Sequence, residues 1–540
     1  MKLSFAAATI AAAQSISDGK TLVSSSQSFE LGFFSPGNSK NRFLGIWYKN
    51  LYGAVVWVAN RNSPIAGAGG VLTINSDRNL ILYDGTNSTV WSSNISRKAE
   101  GPVAQLLDSG NFVVKDNKTM QPVEIYRWQS FDYLSDTLLP GMKLGKNLKT
   151  GSEWLLTSWK SADDPSRGNF TCRLSIQGVH SIVVYSGSAK RFRTGPWDGF
   201  HFGGTPVSHN WFFVPYLEHN EDEIYYGYEP FNNQIFMRLI MDQSGTVLCV
   251  IWNERGSKWG TAYLAPPDQC DQYGQCGANS ICNINKTPIC ECLKRFRPES
   301  EGMDSNNRNW SKKCVKESSS YCQNGEGFLK LVGVKLPDAI KFKLNESMNL
   351  KECEMNCLKN CSCSAYASTK LDEQEEGCLM WYGSLIDMKI LSGLTTGRDI
   401  YIRAPFSELA RASNEKSRVK IIIIVLIISG MLVLSLVFCL ILRKKWKRGR
   451  RYGEEVNSEE FMASGIMKSE NTPCGLVVEL KYCWWDTRSN LREDGIGSSV
   501  AGIVLFPLHL ATFVFSTSYM QEERRKKQKQ FLTLSKARTR

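Results

Sequence analysis

From Thr21 to Asp116 short apolar runs alternate with clusters of Gly, Asn, Asp and Ser, as in FELGFFSPGN, RFLGIWYK, AVVWVANR, VLTINSDRNLILYDG and GNFVVKD. Apolar residues at every second position, with turn signals every 8–12 residues, predict short strands in an all-β unit. The pattern changes twice downstream. Cys353, Cys357 and Cys361 recur at i, i+4, i+8, which predicts one face of a helix beginning near Asn349. Ile421–Leu442 then runs for 22 residues without a charge. It is apolar on every face and long enough for one transmembrane helix.

The flanks of that run differ. Seven basic residues lie in RKKWKRGRR at 443–451, against Lys416, Arg418 and Lys420 on the other side. The positive-inside rule therefore places the C-terminus in the cytosol and residues 1–420 outside. The basic run reads either as a stop-transfer flank or as a contact for membrane lipid. Met1–Ala13 (MKLSFAAATIAAA) has one Lys, an apolar stretch and small residues, and reads as a signal peptide over 1–13.

Composition narrows the function classes. The 540 residues carry 65 Lys+Arg and 52 Asp+Glu, a net charge of +13. Residues 443–540 hold 19 basic against 11 acidic residues, so +8 of the excess lies after the apolar run. A nucleic-acid binder would spread basic charge over a folded face, so no nucleic-acid partner is expected. Fourteen of the 17 cysteines lie between Cys172 and Cys378. Such density suits an oxidising compartment, and disulfides are favoured over a zinc site. Sequons occur at Asn87, Asn94, Asn117, Asn169, Asn285, Asn309, Asn345 and Asn360, all before the apolar run. Their one-sided placement agrees with an extracellular, glycosylated N-terminal part.

These residues carry a resemblance. FELGFFSPGNSKNRFLGIWY, VVWVANRNSPI and LTINSDRNLILYDG resemble the bulb-type lectin module of plant S-domain receptors. WQSFDYLSDTLLPGMKLG, LTSWKSADDPSRGNFT and RTGPWDGFHFGG resemble the S-locus glycoprotein region, with Trp128, Trp159 and Trp197 as packing anchors. Cys270, Cys276, Cys282, Cys290, Cys292 and Cys314 are similar to an EGF-like module, and residues 322–403 to a PAN/apple module. As a whole, the chain is identified as a member of the G-type lectin S-receptor-like serine/threonine kinases. The expected fold is multidomain and mainly β. It comprises a signal peptide (1–13), a bulb-type lectin β-prism or barrel (14–126), an S-locus β region (127–265), a small disulfide-rich EGF-like module (266–314), a PAN/apple α+β module (322–403), a transmembrane helix (421–442) and a cytosolic tail (443–540).

Six cysteines allow fifteen pairings. The resemblance implies Cys270–Cys282, Cys276–Cys290 and Cys292–Cys314. In the PAN/apple region it implies Cys353–Cys378 and Cys357–Cys363, and leaves Cys322 and Cys361 as partners. Cys172 and Cys249 are either a cross-strand disulfide or two free thiols. The acidic calcium signature is missing before Cys270, so no metal is expected, and no cofactor. The family's sugar motif is Gln-x-Asp-x-Asn-x-Val-x-Tyr. Asn75, Asp77, Asn79, Ile81 and Tyr83 stand at those positions. A mannose ring offers vicinal hydroxyls, so amides, a carboxylate and a phenol at alternate positions of a strand suit it. A second copy, LLDSGNFVV, spaces Asp108 and Asn111 one residue too far apart.

Family members continue into a protein kinase. Here no His-Arg-Asp or Asp-Phe-Gly occurs, GIGSSVAG at Gly495–Gly502 lacks the phosphate-loop spacing, and 98 residues after the apolar run are too few for two lobes. Val500–Phe515 reads as a second short crossing, a membrane-surface segment or sequence with no evolved role. The expectation is a binding protein, not an enzyme. Its ligand is an extracellular glycan or cysteine-rich peptide, or it pairs as a homo- or heterodimer with kinase-bearing relatives. Rival expectations are an incomplete receptor kinase and a cell-wall mannan adhesion protein.

Overall fold

The computed structural model describes residues 8–456 except 52–53, 96–98, 118–124, 206–211, 233, 300–313, 317–325, 370–376 and 392–396. The tail segments singled out above, including 495–502 and 500–515, lie outside the described residues, as do Cys322 and Asn309.

The first module is built from three sheets, each with a path of four antiparallel strands. One runs Leu22–Val23, Phe29–Phe34, Asn41–Tyr48, Val55–Val58, with Ile65–Ala66 added beside Asn41–Tyr48. The second runs Thr89–Ser92, Leu80–Tyr83, Val71–Ile74, Ser15–Ser17, and the third Thr9–Ala11, Pro102–Leu106, Phe112–Asp116, Tyr126–Gln129. None closes on itself, so the arrangement is a prism, not a barrel. The alternation seen in the sequence is the alternation of the pleat. Leu72, Leu80, Leu82, Ala104, Leu106 and Phe112 all point inward with no exposure. One tryptophan from each sheet meets near the middle, Trp57, Trp91 and Trp128, in edge-to-face pairs 5.6–6.2 Å apart.

Thr9–Ala11 falls inside the 1–13 segment read as a leader. It pairs with Val103–Gln105 and buries Ile10 to 1% exposure. Small apolar residues that suit a leader also suit an edge strand.

The S-locus region repeats the plan with three more four-stranded sheets. They are Thr137–Leu138 with Met237–Met241, Val247–Asn253 and Lys258–Ala265; Glu153–Trp154 with Leu144–Asn147, Glu223–Pro230 and Phe213–His219; and Leu156–Ser161 with Asp164–Ser175, Ser181–Ser186 and Ala189–Arg193. The two prisms share one continuous apolar core. Polar anchors cross between them. Arg61 donates to the carbonyls of Pro165 (2.8 Å), Thr157 (3.1 Å) and Ser158 (3.0 Å), and Arg238 donates to that of Val55 (2.9 Å). Burial pulls the Arg61 pKa down to about 10, against the opposing pull of Asp136.

The cysteine-rich segment and the PAN-like segment are fused. Ser280–Cys282 and Cys290–Cys292 form one end of an eight-stranded sheet, joined by parallel pairing of Ile281–Cys282 to Met388–Lys389. The sheet continues through Glu326–Lys335, Arg398–Pro405, Cys363–Ser368, Cys378–Tyr382 and Phe342–Asn345. One helix, Leu350–Lys359, packs on it. It starts with a capping box, in which Asn349 Oδ1 accepts the Glu352 N–H (2.9 Å) and Glu352 accepts the Asn349 N–H (3.3 Å). The helix stops at Lys359, so Cys361 lies past its end and not on its face.

Disulfides join Cys270 to Cys282, Cys276 to Cys290, Cys292 to Cys314, Cys353 to Cys378 and Cys357 to Cys363. Cys361 is also disulfide-bonded. Cys172 and Cys249 are free thiols buried in the second prism. Between the second prism and the fused sheet lies a buried ionic cluster. Lys335 and Arg193 meet Asp387, Lys389 meets Asp271 and Asp268, and Lys190 meets Asp338. A further helix, Phe406–Val456, contains Ile421–Lys444, the one stretch among the described residues long and apolar enough to cross a membrane; its apolar side chains from Ile421 to Leu442 are exposed.

Candidate carbohydrate face

The second sheet of the first prism has two chemically distinct faces. Residues directly opposite each other in antiparallel strands share a face. Ser15, Thr73, Ile81 and Ser92 form one such row, and Ser17, Val71, Tyr83 and Thr89 the next. Their alternates, Ile16, Leu72 and Leu82, point into the core. The outward face therefore carries no charge and sets the hydroxyls of Ser15, Ser17, Thr73, Thr89 and Ser92 around Val71 and a buried Ile81 (6% exposed), with the half-buried Tyr83 phenol at one end.

The sequence placed Asn75, Asp77, Asn79 and Tyr83 on alternate positions of a strand. The structure divides them. The strand begins at Leu80, and Asn75–Asn79 is the turn that leads into it. Asn75 donates its N–H to the Asn79 carbonyl at 3.0 Å, Asn75 Oδ1 accepts the Asn79 N–H at 3.0 Å, and Arg78 closes the turn at φ +65°, its N–H donating to the Asn75 carbonyl at 2.9 Å. Asp77 stands exposed at the tip. Asn79 Oδ1 accepts the Ile95 N–H at 2.6 Å, while the Ser93 hydroxyl lies 3.4 Å away. The Asn75 and Asn79 carbonyl oxygens are thus bound within the scaffold. Tyr83 stays half-buried on the face, with Asp77 exposed at its edge.

The third sheet shows why. Leu107–Asn111 is the same turn in register, closed by Gly110 at φ +85°. A Cβ on Gly110 would also come within 2.9 Å of the Phe29 ring. Asn111 Oδ1 accepts the Phe131 N–H (3.2 Å) and the Ser130 hydroxyl (3.2 Å), as Asn79 does for Ile95. Asn79 and Asn111 are repeats of one scaffold device. In that register Ser109, not Asp108, stands where Asp77 does, and the Asp108 carboxylate accepts the Ser26 N–H at 2.6 Å, in the turn of the first sheet.

Beyond Tyr83 the chain turns back through Asp84. Its Oδ1 accepts from the Thr86 hydroxyl (2.7 Å) and from the N–H groups of Thr86 and Ser88 (2.9 Å each), which hold its carboxyl below the usual carboxylate range. Asn87, Asn94, Asn117, Asn169, Asn285 and Asn360 are exposed, and Asn345 is half-buried. The sulfurs of Cys276, Cys282 and Cys290 cluster, but all three are in disulfides and offer no thiolate to a metal.

Comparison with known proteins matches three stretches of the chain. The family model for D-mannose binding lectin matches residues 54–160, that for the S-locus glycoprotein domain 192–300, and that for a PAN-like domain 322–388. The S-locus-specific glycoprotein S6 of Brassica oleracea is 39% identical over 399 residues, covering 73% of this chain and 90% of that one. The receptor-like serine/threonine-protein kinase SD1-8 of Arabidopsis thaliana is 37% identical over 476 residues, covering 86% of this chain. The chain spans 55% of that kinase's length. The solved mannose-specific agglutinin of snowdrop bulbs is 19% identical over 21% of this chain and 94% of that one, with a TM-score of 0.17. That score is too low to bear on the fold, which stands on its own sheets.

Proposed function

This chain belongs to the family of S-locus glycoproteins and G-type lectin S-receptor-like kinases, and from that premise we propose that it is a single-pass cell-surface receptor-like glycoprotein whose first prism recognises an extracellular glycan. The observation that carries this reading is the neutral, hydroxyl-rich face from Ser15 to Ser92, on the prism that overlaps the mannose-lectin match. Hydroxyls and a phenol on a flat face complement the vicinal hydroxyls of a sugar, with Asp77 supplying a carboxylate at the edge. A single face of this kind binds weakly, and useful affinity comes from several faces on one surface. A peptide ligand or a partner ectodomain would then use other surfaces of the same ectodomain, which the EGF-like and PAN-like modules extend. Residues 1–420 face outside, and 443–451 stop transfer on the inner leaflet.

The test is mannan and glycan-array binding by the detergent-solubilised full chain, beside Asp77→Ala and Tyr83→Ala. Retention of the wild-type chain and its loss in both variants is the expected result. Equal binding by all three would remove the sugar role from this face.

The coverage of only 55% of the Arabidopsis kinase favours a second reading, in which the sequence is the ectodomain portion of a longer serine/threonine kinase. Sequencing full-length transcripts tests this. A reading frame that continues from Glu460 into a kinase with an intact His-Arg-Asp would establish it. A frame that ends at Arg540 leaves signalling to a kinase-bearing partner.

A further inference from the structure

The sugar face is bracketed by two sequons. Asn94-Ile95-Ser96 lies at the Asn79 end, and Asn87-Ser88-Thr89 at the Tyr83 end. At the first, the chain is pinned on both sides of the acceptor. Ser93 donates its N–H to the Leu80 carbonyl and its Oγ accepts the Leu80 N–H, both at 3.0 Å, and Ile95 donates to Asn79. Ser93 and Ile95 are buried, 4% and 8% exposed. Asn94 between them is exposed and sits at φ +46°, its N–H donating to the Ser92 hydroxyl at 3.2 Å. The bonds from Ser93 to Leu80 and from Ile95 to the Asn79 side chain hold Asn94 beside Asn79, and its side chain is exposed to solvent. Neighbouring strands lie about 4.8 Å apart and four residues of strand extend about 13 Å. An N-glycan rooted at Asn94 starts within one strand spacing of Asn79 and is long enough to reach Tyr83.

Such a glycan also carries mannose in its core. Tethered this close, its effective concentration at the face is of millimolar order, comparable to the affinity of a single weak sugar site. We propose that Asn94 is the acceptor of an N-linked glycan that lies across the outward face from Asn79 to Tyr83. The chain's own sugar then covers the site, and outside mannosides reach it on molecules that lack this glycan. The inference rests on the glycan reading of the face given above, but its shielding half can be read without any ligand.

The experiment uses the full chain purified from plant cells, beside Ser96→Ala, which abolishes the sequon and leaves Asn94 and Ile95 in place, and Asn94→Gln as a second variant. Asn285→Gln, on the cysteine-rich segment, is the control. Glycopeptide mass spectrometry reads occupancy, the rate of Tyr83 iodination reads shielding, and mannan retention reads binding. Expected are an occupied Asn94, and iodination and mannan binding each roughly two- to tenfold higher in Ser96→Ala and Asn94→Gln, from release of a millimolar competitor. The control stays at the wild-type level. An unmodified Asn94, or equal Tyr83 iodination in all forms, overturns the proposal. Faster Tyr83 iodination without mannan binding by any form upholds the shield and instead counts against the glycan reading.

Discussion

Asp387 accepts the Nε–H of Arg193 at 3.1 Å, across 194 residues of chain, with both side chains no more than 3% exposed. Lys335 approaches the same carboxylate at 3.2 Å and donates to the Arg193 carbonyl at 3.3 Å. Asp387 thus bridges two buried cations where the second prism meets the fused sheet, with Asp271 3.7 Å from Lys335 and Asp338 3.8 Å from Arg193 completing the set. Removing one partner from such a set strands the others without water. Asp387→Ala is therefore expected to cost about 3–5 kcal/mol and to lower the melting temperature by several degrees, read by thermal unfolding of the full chain. Lys149→Ala, whose pair with Asp222 is exposed on both sides, is expected to cost less than about 1 kcal/mol.

Acid should loosen the same junction. Burial alone would raise the Asp338 carboxyl, but Arg193 and hydrogen bonds from Lys190 (2.5 Å) and Tyr273 (2.7 Å) outweigh it and leave the group below its ordinary value of 3.8. A depressed carboxylate stabilises the fold above its unfolded pKa and loses that contribution as pH falls through the folded one. Melting temperature followed from pH 6 to pH 2.5 should therefore fall below about pH 4. In Asp338→Asn that part of the fall should be shallower, from a lower starting point.

Asn79 and Asp77 should separate stability from binding. Asn79→Ala orphans the Ile95 N–H and is expected to cost about 1–3 kcal/mol. Asp77→Ala removes an exposed group at a turn tip and is expected to change stability by less than about 1 kcal/mol while abolishing mannan retention. Urea unfolding beside mannan chromatography checks both.

Cys172 and Cys249 should resist modification in the native protein. Burial pushes each thiol up to about 12. At pH 8 both stay protonated and both are buried, so neither offers a reactive thiolate. Peptide mapping after iodoacetamide is expected to find both unlabelled in the native chain and both labelled after denaturation without reductant.

What the sequence revealed and what it concealed follow from distance along the chain. The strands of both prisms were legible because Leu72, Leu82 and their neighbours alternate with Thr and Ser over a few residues. The apolar helix at 421 was legible for the same local reason. The role of Asn79 was not. The motif shows the amide but not its bond to the Ile95 N–H, because Ile95 lies sixteen residues on and outside the motif. The end of the helix at Lys359 was hidden because the cysteine period continues past it to Cys361. The pairing of Thr9–Ala11 with Val103–Gln105 has no local signal, because small apolar residues suit a leader and an edge strand alike. The Arg193–Asp387 contact and the joining of Ile281 to Met388 had no sequence signal at all, since both partners look like ordinary residues of separate modules.

The most direct test of the account is the sidedness of the full chain in intact plant cells, read by protease digestion from outside followed by peptide mapping of the membrane fraction. The account predicts that peptides from the two prisms and the fused sheet, up to Pro405, are released, while the membrane retains a protected fragment that begins before Ile421 and includes the basic run at 443–451. Protection of the prisms together with cleavage in the basic run would contradict it.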